Sequence, residues 1–114
     1  MTECIFCRIV DREIPAKIIY EDESAIAFVD IHPEAPEHFL VVPMQHLTSL
    51  AEMTDDHERL VGHLFAVAAK LAHERGLSAD GYRAVVNTGA GAGQTVFHLH
   101  VHVLGGRAFH WPPG

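Results

Sequence analysis

A chain of 114 residues, 48% of them hydrophobic, fits one domain over residues 1–114 whose core needs no disulfide. The formal net charge of −7 excludes broad electrostatic binding to polymeric nucleic acid, which depends on many Lys and Arg contacts; one phosphate held by imidazoles and backbone N–H groups remains open. No apolar run approaches the roughly 20 residues of a membrane-spanning helix, and the amphipathic start does not read as a signal peptide, so a cytoplasmic protein without a membrane partner is expected.

In chain order, residues 4–12 have a weak helical pattern that Pro15 interrupts. Lys17–Glu21 and Ala25–Val29 read as two strands of a hairpin around Asp22-Glu23-Ser24. The two prolines of 32–37 make a loop, followed by an apolar strand His38–Val42 that Pro43 closes. Thr54 is an N-cap candidate with Asp55 and Asp56 suited to the helix dipole. Leu60, Val61, Leu64, Phe65, Ala68, Leu71 and Ala72 then follow helical spacing to a stop near Gly76. His57, His63 and His73 lie off that stripe and read as solvated or capping residues. Tyr82–Thr88 reads as a fourth strand, and Gly89, Gly91 and Gly93 form a turn in which backbone N–H groups can approach a ligand closely. The expected fold class is α+β: a mostly antiparallel sheet of about five strands, one long helix on one face and a short N-terminal helix.

The densest signal is His98-Leu99-His100-Val101-His102. In an extended strand the period of two sends all three imidazoles to one face, about 6.6 to 7 Å apart, while Leu99, Val101 and Val103 face the core. Imidazoles titrate near neutrality and carry two nitrogens that need partners, which makes them poor sheet covering and good chemistry. Cys4-x-x-Cys7 is compatible with a redox pair, half of a zinc site or two unrelated thiols.

His98 to Leu104 matches the signature of the histidine triad family, His-φ-His-φ-His-φ-φ with φ apolar. The resemblance extends through Asn87, Gly89, Gly93-Gln94-Thr95, Phe28-Val29-Asp30-Ile31, His38-Phe39-Leu40-Val41-Val42-Pro43 and the tail Gly105-Gly106-Arg107 with His110-Trp111-Pro112-Pro113-Gly114. The tail and the Gly-Gln-Thr element resemble the Hint branch of nucleoside phosphoramidases. Ala92 stands where that branch usually has glycine, and Thr95 where serine is common.

The resemblance implies a purine nucleotide substrate and hydrolysis of nucleoside phosphoramidates, or related nucleoside 5′-phosphate conjugates, through a covalent nucleotidyl-histidine. His100 would attack phosphorus. His102 and Thr95 would hold phosphate oxygens and relay a proton to the leaving group, with His38 completing the polar network. Gly93, Gln94, Thr95 and Val96 would donate to the phosphate, Asp30 would take the ribose hydroxyls, Phe28 and Ile31 would wall the base, and Asn87 would touch phosphate or ribose. Some relatives bind structural zinc at positions that here are Cys4, Cys7, His46 and His98, a metal not required for catalysis. Family members are homodimers whose C-terminal tail reaches the neighbouring active site, which would put Trp111 against the partner's substrate. The alternatives are a dinucleoside polyphosphate hydrolase and a zinc-stabilised nucleotide-binding or protein-interaction module.

Overall fold

The computed structural model describes residues 4–114. Its elements are α1 (Ile5–Val10), β1 (Ile18–Glu21), β2 (Ala25–Val29), β3 (Glu37–Pro43), α2 (Glu58–Glu74), β4 (Tyr82–Val85) and β5 (Val101–Gly105). The strands form one antiparallel sheet in the order β1-β2-β3-β5-β4.

Each sheet face has its own helix, and the alternation of side chains along the strands decides which residues serve which face. Ala25, Ala27, Phe39, Val41, Val101 and Val103 point to α2, where Leu64, Val67, Ala68, Leu71 and Ala72 complete the larger core. Ile26, Phe28, Leu40 and Val42 point the other way and bury Phe6 and Ile9 of α1. His38 and His102 share the parity of Leu40, since the register pairs Leu40 with His102. The polar groups therefore collect on the α1 face.

The turns follow from local chemistry. In the β1–β2 turn Asp22 Oδ1 accepts from the Ser24 and Ala25 amides, both at 2.8 Å. A 3-10 turn, Asp55–His57, precedes α2 with Thr54 as its N-cap, and His57 caps as expected, its Nδ1 accepting from the Thr54 amide at 2.9 Å. At the other end Gly76 has φ +77, with its N–H on the His73 carbonyl and the Leu77 N–H on the Ala72 carbonyl. That pair of bonds closes the helix where glycine alone adopts the left-handed backbone without strain.

Two expectations change. The histidine row is not one continuous strand: β5 starts at Val101, so only His102 lies within it. The last β3–β5 pair is Val41 with Val101; upstream of it the Leu99 amide bonds the Leu47 carbonyl and the chain bends through Val96–His98. Alternation of burial persists without a ladder, because Leu99 and Val101 still plug the larger core. His63 is neither a cap nor merely solvated: its Nε2 lies 2.6 Å from Asp22 Oδ2 and ties α2 to the β1–β2 turn. No described helix is long and apolar enough to cross a membrane.

Candidate active site and metal centre

The bend at Val96–His98 gives each imidazole of the row a different environment. His98 is fully buried, with Nε2 2.8 Å from the Pro43 carbonyl. A carbonyl only accepts, so that nitrogen carries the proton and Nδ1 is left with its lone pair. This Nδ1 faces Cys4 Sγ at 3.4 Å, Cys7 Sγ at 3.5 Å and His46 Nδ1 at 3.2 Å. Burial, partly opposed by the Pro43 bond, lowers the His98 pKa to about 4 and keeps the ring neutral.

His100 sits two residues on, buried, with Nδ1 2.7 Å from the His98 carbonyl. By the same argument Nδ1 is the protonated nitrogen, and Nε2 is the basic one. Burial pushes its pKa down, so its lone pair is available near neutral pH. Phe6 packs edge-on against the ring, centroids 5.0 Å apart.

His102 is fixed by a chain of bonds that starts in the backbone. The Glu34 amide donates to His38 Nδ1 at 3.0 Å, which puts the proton of neutral His38 on Nε2. That nitrogen is 3.0 Å from His102 Nδ1 and 3.4 Å from Asp30 Oδ2. His102 Nδ1 thus accepts, and its own proton sits on Nε2. Burial, reinforced by His100 and His38, lowers its pKa to about 4. The pair His100 and His102, ring centroids 4.9 Å apart, presents one bare nitrogen beside one N–H donor.

These two rings line a cleft of about 450 Å³ together with Phe28, Asp30, Ile31, Thr95 and Val96. The structure thus brings together most of the residues expected at the substrate. Phe28 is buried and Ile31 strongly exposed at the rim. Asn87, Gly93, Gln94 and Trp111 are not among the lining residues. Gln94, expected to donate to substrate, is buried and spends its side chain inside the protein: Oε1 accepts from the Gly89 amide and Nε2 donates to the carbonyls of Thr48 and Val96. It braces the glycine turn, where Gly93 at φ +95 reverses the chain in a conformation closed to most side chains. Trp111 is 83% exposed.

Sequence reasoning missed the floor of the cleft. Phe6 touches the rings of Phe28, His98 and His100, and Ile5, Ile9 and Ile14 continue the wall. The available signal was the apolar spacing Phe6 to Ile9 between and beyond the cysteines, which marks a buried helix face without saying what it faces.

The Cys4, Cys7, His46 and His98 donor atoms all lie within 4.8 Å of one another. Tetrahedral zinc with bonds of about 2.0 to 2.3 Å places its ligand atoms about 3.3 to 3.8 Å apart, close to the 3.2 to 3.5 Å that separate the Cys4, Cys7, His46 and His98 atoms in contact. A ligating His98 Nδ1 with Nε2–H on a carbonyl is also the arrangement that orients metal-bound imidazoles. The residues fit a closed structural zinc site.

A model of the HIT domain family matches residues 11–109. An uncharacterized HIT-like protein of Synechococcus elongatus is 51% identical over 112 residues, covering 98% of this chain and 97% of that one. The crystal structure of a HIT family hydrolase from Legionella pneumophila superposes with a TM-score of 0.96 at 46% identity, over 98% of this chain and all of the other. That of a zinc-bound histidine triad family protein from Mycobacterium smegmatis gives 0.81 at 40% identity, over 92% of this chain and 76% of the other.

Proposed function

The chain belongs to the HIT domain family, and on that premise we propose that it hydrolyses purine nucleoside phosphoramidates, or related nucleoside 5′-phosphate conjugates, through a nucleotidyl intermediate on His100. The observation that carries the reading is the 2.7 Å contact from His100 Nδ1 to the His98 carbonyl, which leaves a basic Nε2 beside the cleft.

Attack by His100 Nε2 on the α-phosphorus forms a P–N bond and breaks the bond to the leaving amine. Nδ1–H stays on the His98 carbonyl, which stabilises the positive charge the ring acquires. His102 Nε2–H faces the phosphoryl oxygens and the departing nitrogen, with the Thr95 hydroxyl as a second donor. His102 gives its Nε2 proton to the departing amine and takes one back from the water that attacks the same phosphorus, breaks the bond to His100 Nε2 and frees the nucleoside monophosphate. Asp30, its Oδ1 already accepting from the His32 amide at 2.8 Å, keeps lone pairs for ribose hydroxyls. Gly93, Asn87 and the Val96 backbone contribute around the phosphate, and Gln94 holds the glycine turn in place.

Cys4, Cys7, His46 and His98 would hold zinc, which would act as a structural cross-link between α1 and the segment leading into β5. The chain works as a cytoplasmic homodimer in which Trp111 covers the partner's cleft; an exposed tryptophan at the end of the chain and the open edge of β4 support that reading.

The test is hydrolysis of adenosine and guanosine phosphoramidates and of diadenosine polyphosphates by wild type and His100→Asn, with intact-mass detection of a nucleotidyl adduct. Faster phosphoramidate cleavage and an adduct only in wild type are expected. Equal slow hydrolysis by both proteins refutes the reading.

A further inference from the structure

Helix α1 is attached to the rest of the protein on two sides. One side buries Phe6 and Ile9 against Ile26, Phe28, Leu40 and Val42. The other brings Cys4 and Cys7 to His98 and His46. A helix of six residues is well below the length that holds itself together in water, so these attachments set its place.

The same segment forms a wall of the cleft. Ile5, Phe6 and Ile9 from α1, with Ile14, Pro15 and Ala16 after it, line one part; His100, His102 and Thr95 line another. The wall is wholly apolar and suits the faces of a base, whereas the imidazoles and the hydroxyl suit a phosphate. The imidazoles have backbone anchors of their own, the His98 carbonyl for His100 and the Glu34 amide acting through His38 for His102.

We infer that metal held by Cys4, Cys7, His46 and His98 strengthens binding of the nucleotide base by fixing α1, so that metal and nucleotide bind with positive coupling. This rests on the nucleotide reading of the cleft. The coupling acts mainly on the base, because the cysteine-bearing segment carries the apolar wall and meets the phosphate-facing imidazoles only through the edge-on contact of Phe6 with His100. Linkage makes it reciprocal: the factor by which metal tightens nucleotide is the factor by which nucleotide tightens metal. His46 isolates the effect, since it is exposed, lies outside the cleft lining and belongs to the donor cluster.

The experiment measures adenosine monophosphate and ribose 5-phosphate by calorimetry on zinc-loaded wild type, chelator-stripped wild type and zinc-treated His46→Ala, with circular dichroism verifying the fold. Stripping and His46→Ala should each weaken adenosine monophosphate by about tenfold and ribose 5-phosphate by less than about twofold. A second measurement needs no stripped protein: zinc transfer from wild type to a chromophoric chelator should show zinc held about tenfold tighter with adenosine monophosphate and unchanged with ribose 5-phosphate. Equal nucleotide affinity in the folded, metal-free protein, or zinc affinity indifferent to the nucleotide, overturns the coupling while the nucleotide reading stands. Adenosine monophosphate that fails to bind even the zinc-loaded protein overturns both.

Discussion

The carbonyl of His98 accepts the Nδ1 proton of His100 at 2.7 Å, while the His98 ring turns its own Nδ1 to the cysteines. One residue thus serves the two centres with different atoms, backbone for one and side chain for the other. His98→Ala keeps the carbonyl and removes the ring. Zinc content should fall sharply, and stability should drop by about 1–3 kcal/mol or more from the lost buried hydrogen bond to Pro43 and the cavity. Turnover should fall far less than in His100→Ala, which removes the nucleophile. Metal analysis, thermal unfolding and kcat on the three proteins check the division; equal kcat losses would mean that the His98 ring itself takes part in the chemistry.

Acid should weaken the metal-free fold in a defined window. His98 and His102 have pKa values lowered to about 4, below the ordinary 6.5, because burial disfavours the charged ring. Between those values the unfolded chain binds protons that the folded chain does not, so stability rises with pH across about 4 to 6.5 and is level above. Urea unfolding of chelated protein at pH 7, 6, 5 and 4.5 should give a falling free energy. His102→Asn, which keeps a hydrogen-bonding side chain, should flatten part of the slope.

Much of this arrangement was legible in the residues. Ala25–Val29 is a strand with the bounds its apolar run suggests, and Gly76 ends α2 as its place after the stripe requires. The alternation from His98 to His102 signalled an extended chain, yet it carries no information on whether a neighbouring strand is there to pair. The β3–β5 ladder stops at the pair Val41–Val101, and the bend upstream of Val101 gives the three imidazoles separate tasks. The spacing of the cysteine pair left a redox pair, half of a zinc site and two unrelated thiols open, and the zinc partners came from the family pattern. Phe6 and the Asp22–His63 pair stayed hidden, since each depends on contacts between segments distant in sequence that local periodicity does not encode.

The Asp22–His63 contact yields a stability prediction separate from catalysis. Asp22 sits where burial would raise its carboxyl, but the Tyr20 hydroxyl, the Ser24 amide, His63 and the Ala25 amide outweigh that and hold it well below the usual carboxylate range. His63 is partly exposed, so His63→Ala should cost below about 1 kcal/mol. Asp22→Ala strips the acceptor from two amides and a hydroxyl, and about 1–3 kcal/mol is expected. Neither residue lines the cleft. Chemical denaturation should separate the two variants while KM and kcat stay within about twofold of wild type, a margin of about 0.4 kcal/mol.

Gln94 tests whether the glycine turn is preorganised for phosphate. Its buried amide joins Gly89, Thr48 and Val96, so one side chain pins both ends of the turn to the segment after β3. Gln94→Ala leaves an amide and two carbonyls without that partner, at about 1–3 kcal/mol for each group that water cannot reach. Gln94→Glu keeps the size and the acceptor for the Gly89 amide, but sets a carboxylate against two carbonyls. Both should loosen the backbone N–H groups that would meet the phosphate, and because those donors act most on charge developing at phosphorus, kcat should fall more than KM rises. Steady-state kinetics on a nucleoside phosphoramidate, with hydrogen exchange over residues 89–96, reads both effects. Faster exchange with unchanged kcat would mean that the turn supports the fold without serving the reaction.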